Sequence, residues 1–253
     1  MADSPNTKVV AVIPARFESS RFPGKPLTEI AGRTMIERVY RGGTQASRVG
    51  RVVVATDDTR IVDAVKGFGG EAIMTRRDHH SGTERMAEVA AHIPAEIYLN
   101  IQGDEPLLDP GVIDALVAAL EEDPQVSVAT PCSMIRQPSE IMDPNVVKTV
   151  LDFDDNALYF SRAPIPWVRD RGEHVVARHL KHIGVYACRG DALLEFPTLP
   201  PGELERLEQL EQLRWLENGY KIRVIEIDYD AVSVDVPDDV ARVEKILRER
   251  GQA

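Results

Sequence analysis

The chain is short of cysteine, of positive charge and of long apolar runs, and each shortage removes a class of protein. Two cysteines in 253 residues, Cys132 and Cys188, are too few and too far apart to make a disulfide framework or a thiolate zinc site. A reducing, cytoplasmic setting is the simplest expectation. Thirty Lys and Arg face 41 Asp and Glu, a formal charge of −11. General nucleic-acid or anionic-membrane binding needs a basic footprint, so neither is expected. Nowhere do 18 apolar residues follow one another, and the opening MADSPNTK lacks the apolar core of a signal peptide. Internal repeats, low-complexity tracts and convincing linkers are missing too. What remains is an ordinary globular balance, 43% hydrophobic and 28% charged, in a chain long enough for one large α/β domain.

The elements alternate. Lys8 to Ala15 and Arg51 to Thr56 are β-branched apolar runs, the signature of buried strands. Thr59 to Phe68 and Thr83 to Ile93 read as helices, with short strands at Glu71 to Thr75 and Glu96 to Ile101. Asp109 is a helix N-cap followed by Pro110, and Val112, Ile113, Leu116, Val117 and Leu120 recur on one face. This order predicts a mainly parallel sheet flanked by helices, with ligands bound beyond the carboxyl ends of its strands. From Val146 the texture changes. Val146 to Leu151, Ala157 to Ser161 and Leu180 to Ala187 suggest an antiparallel inserted lobe. Glu203 to Glu217 reads as one helix whose leucines, every third residue, wrap around it.

The loop behind the first strand, PARFESSRFPGKPL, holds Arg16, Ser19, Ser20, Arg21, Gly24 and Lys25. Three cations within ten residues of an acidic chain point to an anion of several charges. The glycine spacing of a dinucleotide-binding loop is lacking, and Gly24-Lys25 is followed by Pro26 rather than the Ser or Thr of a Walker loop. Asp104 follows a buried strand and so faces the ligand crevice; Asp235 follows a second apolar segment. His79 and His80 are adjacent on a loop without a cysteine, which makes a poor zinc site.

PARFESSRFPGKPL resembles the signature of sugar-activating cytidylyltransferases, most closely the 3-deoxy-manno-octulosonate (KDO) cytidylyltransferases. The resemblance continues through VVVATDD, MTRRDHHSGTERMAEV, NIQGDEP, ALYFSRAPIPW, RHLKHIGVYA, LEQLEQLRWLENG and VDVPDDVARV, in order from Val9 to Leu247. It implies a nucleotidyltransferase-type α/β fold and transfer of CMP from CTP to KDO. It implies Lys25, Asp104 and Arg16 as catalytic residues. Pro14, Ala15, Arg16, Ser19, Arg21, Lys25, Arg76, Asp78, Ser81 and Gly82 are implied on the nucleotide. Gln102, Arg162, His182, Tyr186, Glu211 and Gln212 are implied on the sugar, Arg162 as a clamp for its carboxylate. Asp104 and Asp235 are implied as ligands of Mg²⁺, the one cofactor.

The resemblance further implies a cytoplasmic homodimer acting on CTP and an acidic eight-carbon sugar, without nucleic acid or membrane. Its single domain divides into a nucleotide-binding part (8–145), a sugar-binding and dimerisation lobe (146–200) and a return to the core (201–250). Three positions depart from the family pattern: His80, Phe22, and Val236 where a threonine would cap the helix before Pro237. Loss of a hydroxyl cap costs about 1 kcal/mol. Another acidic sugar, a glycosyltransferase or a silent nucleotide-binding module are the competing readings. The chain lacks an obvious DxD for the second, and it keeps Lys25, Asp104 and Asp235 against the third.

Overall fold

The computed structural model describes residues 8–18, 22–169, 178–229 and 232–252. At its centre is β1 (Val9–Ala15), in which every residue but Pro14 is buried. Both of its faces are covered, and so its sequence is a continuous apolar run rather than an alternating one. It pairs in parallel with β4 (Arg51–Thr56) on one side and β6 (Ile97–Asn100) on the other. β5 (Ala72–Met74) extends the sheet beyond β4. A small hairpin, β2 (Glu29–Ile30) with β3 (Arg33–Thr34), stands apart.

Successive side chains of the central strands enter opposite cores. Val9, Ala11 and Ile13 pack with α1 (Met35–Gln45), α2 (Thr59–Gly67), α4 (Pro110–Glu122) and α9 (Asp238–Glu249). Val10 and Val12 pack with α3 (Gly82–His92), α6 (Gly190–Glu195) and α8 (Gln212–Glu217) on the other face. Asp109 caps α4 as expected, accepting from the Gly111 N–H at 2.8 Å. The remaining α-helices are α5 (Pro138–Met142) and α7 (Glu203–Glu208).

The remaining strands are β7 (Val128–Met134), β8 (Lys148–Leu151), β9 (Ala157–Ser161), β10 (Leu180–His182), β11 (Tyr186–Arg189) and β12 (Ile222–Glu226). The ten-stranded sheet runs β5-β4-β1-β6-β11-β7-β10-β8-β9, with β12 paired to β7. β7 carries β11 and then β10 along one edge and β12 along the other. A bridge between Asn156 and Arg223 brings β9 against β12. This half of the sheet therefore curls back on itself and leaves a hollow at its mouth.

Three expectations are corrected. Leu180 to Ala187 is not one strand: at Ile183–Val185 it leaves β8 and β7 and passes between β7 and β6. Glu203 to Glu217 is two helices. Gln209, at φ 53°, breaks the chain between α7 and α8, so Leu207 is exposed while Leu210 and Leu213 enter the core. The turn spares the protein a helix that would need burial all round. Finally, α9 is not capped at position 236. The Asp239 carboxylate reaches back and accepts from the N–H groups of Asp235 (2.8 Å) and Val236 (3.0 Å).

Candidate active site

Because β1, β4, β5 and β6 are parallel, the loops after them gather at one end of the sheet. The first loop is closed by the Gly24 N–H donating to the Phe17 carbonyl at 2.9 Å. Gly24 has φ 73°, a left-handed conformation that glycine adopts at no steric cost. The Arg60 guanidinium lies over the Phe17 ring, 3.3 Å from its centre, and holds this loop against the start of α2.

That closure delivers Lys25. Its ammonium donates to the Asp104 carboxylate at 2.7 Å and to the Val234 carbonyl at 2.9 Å. The Val234 N–H donates in turn to the Asp104 backbone carbonyl at 3.0 Å. Segments 79 and 209 residues away from Lys25 are thereby joined at one point, with Asp235 the next residue. The exit from β6 passes hard against β1. A Cβ on Gly103 would stand 2.9 Å from the Pro14 carbonyl oxygen, so only glycine fits.

The loop after β5 lies alongside. The Arg16 guanidinium donates to the His79 carbonyl. Ser81 caps α3, its hydroxyl accepting from the Glu84 N–H at 3.2 Å, and Gly82 packs against Pro14 and Asn100. Arg76 and Asp78 form an exposed ion pair at 3.3 Å. The buried His79 ring is bonded to Glu88. Pro14, Ala15, Arg16, Arg76, Asp78, Ser81 and Gly82 thus lie on two neighbouring stretches, the end of β1 with the loop after it and the loop from β5 to the first residue of α3. Ser19 and Arg21 lie outside the described residues.

Beyond Gln102 opens a cavity of about 440 Å³, at the mouth of the curled half-sheet. Gln102, His182, Tyr186, Glu211 and Gln212 all line it. The Gln102 amide donates to the Gly184 carbonyl at 2.8 Å, in the break between β10 and β11. Burial raises the Glu211 carboxyl above the ordinary carboxylate range, against hydrogen bonds from Ser81 and Thr83 that favour its charged form. Burial also holds the His182 imidazole down to about 3, so the ring is neutral.

Arg162 is placed differently from the expected clamp. Its guanidinium donates to three backbone carbonyls, those of Glu208 (2.7 Å), Pro144 (2.9 Å) and Gln209 (3.3 Å). The fully buried Lys148 ammonium likewise donates to the carbonyls of Asp143, Val146 and Arg162. Together these two cations fix the cavity wall that carries Asn145, Val146 and Gln209. Sequence reasoning passed over three further features of the site. The Val234 carbonyl has no side-chain signal to find. Lys181 lines the cavity in an ion pair with Glu140 at 2.9 Å. The Glu105 carboxyl, pushed up to about 8 by burial and by the negative charge of Asp104, was readable within QGDEP.

The sequence profile of the family Cytidylyltransferase matches residues 10–222. The chain belongs to the cytidylyltransferase family. Two curated relatives are both named 3-deoxy-manno-octulosonate cytidylyltransferase. That of Syntrophotalea carbinolica is 54% identical, over 95% of this chain and 98% of its own. That of Geobacter sulfurreducens is 50% identical, over 95% and 99%. The solved structure of a CMP:2-keto-3-deoxy-manno-octonic acid synthetase complexed with CTP is 44% identical. It covers 96% of this cytidylyltransferase and 100% of that chain, with a TM-score of 0.91. A cytidylyltransferase from Leptospira borgpetersenii, 15% identical over 96% of this chain and 87% of its own, has a TM-score of 0.66 and shares the fold. The architecture is accordingly the nucleotidyltransferase-type mixed sheet.

Proposed function

We propose that this cytidylyltransferase transfers CMP from CTP to KDO and releases pyrophosphate, activating the sugar for lipopolysaccharide or capsule synthesis. The observation that carries the reading is the junction of Lys25, Asp104 and the 234–235 segment beside a polyol-sized polar cavity. In the reaction the anomeric hydroxyl oxygen bonds to the α-phosphorus while the bond from phosphorus to the pyrophosphate oxygen breaks. The hydroxyl proton passes to solvent. Transfers of this kind need positioning and charge neutralisation more than covalent help.

Lys25 neutralises charge near the α-phosphate, and Arg16 holds the phosphates with Ser19, Arg21 and the backbone at Pro14 and Ala15. Arg76, Asp78, Ser81 and Gly82 take the cytosine. Gln102, His182, Tyr186, Glu211 and Gln212 take the sugar hydroxyls, and Arg162 shapes their cavity from behind.

Asp104 and Asp235 suit Mg²⁺. The Lys25 ammonium already rests as a cation on one Asp104 oxygen and one carbonyl oxygen, and oxygen is the ligand atom that Mg²⁺ prefers. Among the described residues no three His, Cys, Asp or Glu gather as a cage. Two carboxylates completed by phosphate oxygens and water is an arrangement magnesium commonly takes. When bound, the ion supplies positive charge against the phosphate oxygens.

On the same footing the enzyme is read as a cytoplasmic homodimer. Helix α7 has no buried residue, and its Leu204 and Leu207 side chains are exposed, apolar surface of the kind a second copy covers. Light scattering that returned the mass of one chain would refute this.

The test of activity follows pyrophosphate in the presence of CTP, Mg²⁺ and KDO. Release that requires all three is the expected outcome. Binding of CTP without turnover, or turnover with sialic acid and not with KDO, would overturn the assignment.

A further inference from the structure

Thr130, in β7, is fully buried and was no part of any motif considered above. Its hydroxyl sits where the 180–189 segment changes partners. The Thr130 Oγ1 lies 2.9 Å from His182 Nε2, 2.8 Å from the Val185 carbonyl oxygen and 3.3 Å from the Ile183 carbonyl oxygen. A hydroxyl has one proton, and a carbonyl oxygen can only accept. The Thr130 proton is therefore committed to the backbone carbonyls. The contact with His182 then holds only if Nε2 is the donor and Oγ1 the acceptor.

The ring has little freedom to escape this. Phe160 meets it edge-on with ring centres 4.9 Å apart, and Tyr186 lies 5.4 Å away on the same segment. With Nε2 protonated and the imidazole neutral, Nδ1 carries the lone pair. We infer that Thr130 is a positioning residue that fixes His182 as its Nε2–H tautomer, so that Nδ1 accepts a hydrogen bond from a hydroxyl of the sugar in the cavity. His182 thereby selects for a hydroxyl donor and against a carboxylate at that point, since a lone pair facing a carboxylate repels it. The sugar half of this inference rests on the function proposed above; the tautomer does not.

Long-range proton–nitrogen NMR of the ¹⁵N-histidine-labelled protein reads the tautomer directly, with the His182 signals assigned by their loss in His182→Gln. The expected wild-type spectrum shows Nε2–H and an unprotonated Nδ1. An Nδ1–H form would overturn the inference, whatever any variant does to folding. Thr130→Val removes the hydroxyl at nearly constant shape. It should mix the tautomers and raise KM for KDO about tenfold, the equivalent of one hydrogen bond, with KM for CTP unchanged. Thr130→Ser restores the hydroxyl and should recover both readouts. A Thr130→Val enzyme with wild-type tautomer and wild-type KM for KDO would also overturn it. Absence of turnover with KDO in the wild-type enzyme would instead refute the functional reading and leave the tautomer standing.

Discussion

Lys25 and Asp104 form a half-buried pair at 2.7 Å, and the lysine is simultaneously tied to the Val234 carbonyl. A charge in this position closes the loop behind β1, and in the proposed function it also faces the phosphates. Lys25→Ala and Asp104→Ala should each lower kcat by at least about 10²-fold, the cost typical of removing one group that stabilises developing charge. Far-UV circular dichroism of both variants should remain that of the wild type. Arg162 behaves otherwise. Its fork holds Pro144, Glu208 and Gln209 by their carbonyls, a geometry that an ammonium does not reproduce. Arg162→Ala should therefore lose about 2–4 kcal/mol of stability in urea unfolding, because three carbonyls lose a charged donor. KM for KDO should rise as well, and Arg162→Lys should recover little of either. An Arg162→Ala protein of unchanged stability would show that the guanidinium does not support the wall.

At the scale of elements, what matters is where regular structure stops. The break at Gln209 separates two short helices and points Glu211 and Gln212 into the cavity. The break at Ile183–Val185 does the same for His182 and Gly184. Helix α9 begins without a hydroxyl cap, and the Asp239 carboxylate instead accepts from the backbone N–H groups of Asp235 and Val236. These hydrogen bonds keep the Asp239 carboxyl below the usual carboxylate range. Asp239→Ala should cost about 1 kcal/mol in denaturant unfolding, the usual worth of a cap. Val236→Thr should gain less than that loss, since the Asp239 N–H that a hydroxyl at position 236 would accept already donates to the Val236 carbonyl at 3.1 Å. A Val236→Thr gain larger than the Asp239→Ala loss would count against this account of the helix start.

For the molecule as a whole, the buried titratable groups set how stability responds to pH. His182 ordinarily titrates near 6.5 and is held down to about 3 in the fold. Between those values the unfolded chain binds a proton that the folded chain refuses. The His182 contribution to stability therefore rises with pH across that window and is lost on acidification through it, whereas the buried Glu105 carboxyl, at about 8, contributes in the opposite sense above about 4.5. His182→Gln should lower the slope of unfolding free energy against pH between about 6.5 and 4 relative to the wild type. Parallel slopes for the two proteins would show that the imidazole is protonated in the fold.

Much of this molecule was legible along the chain. β1 and β4 are single apolar runs because both faces of the sheet are covered, and that pattern is local. The cap at Asp109 is local as well, and so is the cluster of cations in the loop behind β1. Periodicity, caps and turn residues act within windows of a few residues, which is why sequence alone determined β1, β4, β5 and β6, the helices α2, α3 and α4, and the loop that carries Lys25, while α1, β7 and β12 went unread. The tertiary structure decided the rest. It alone brings Lys25, Asp104 and Val234 together across 79 and 209 residues, gives the Arg162 guanidinium to three carbonyls, and puts Thr130 against His182. Each of these depends on which strand lies beside which and on where a helix can end without burying both sides. Those outcomes follow from packing the whole chain, and no short stretch of it contains them.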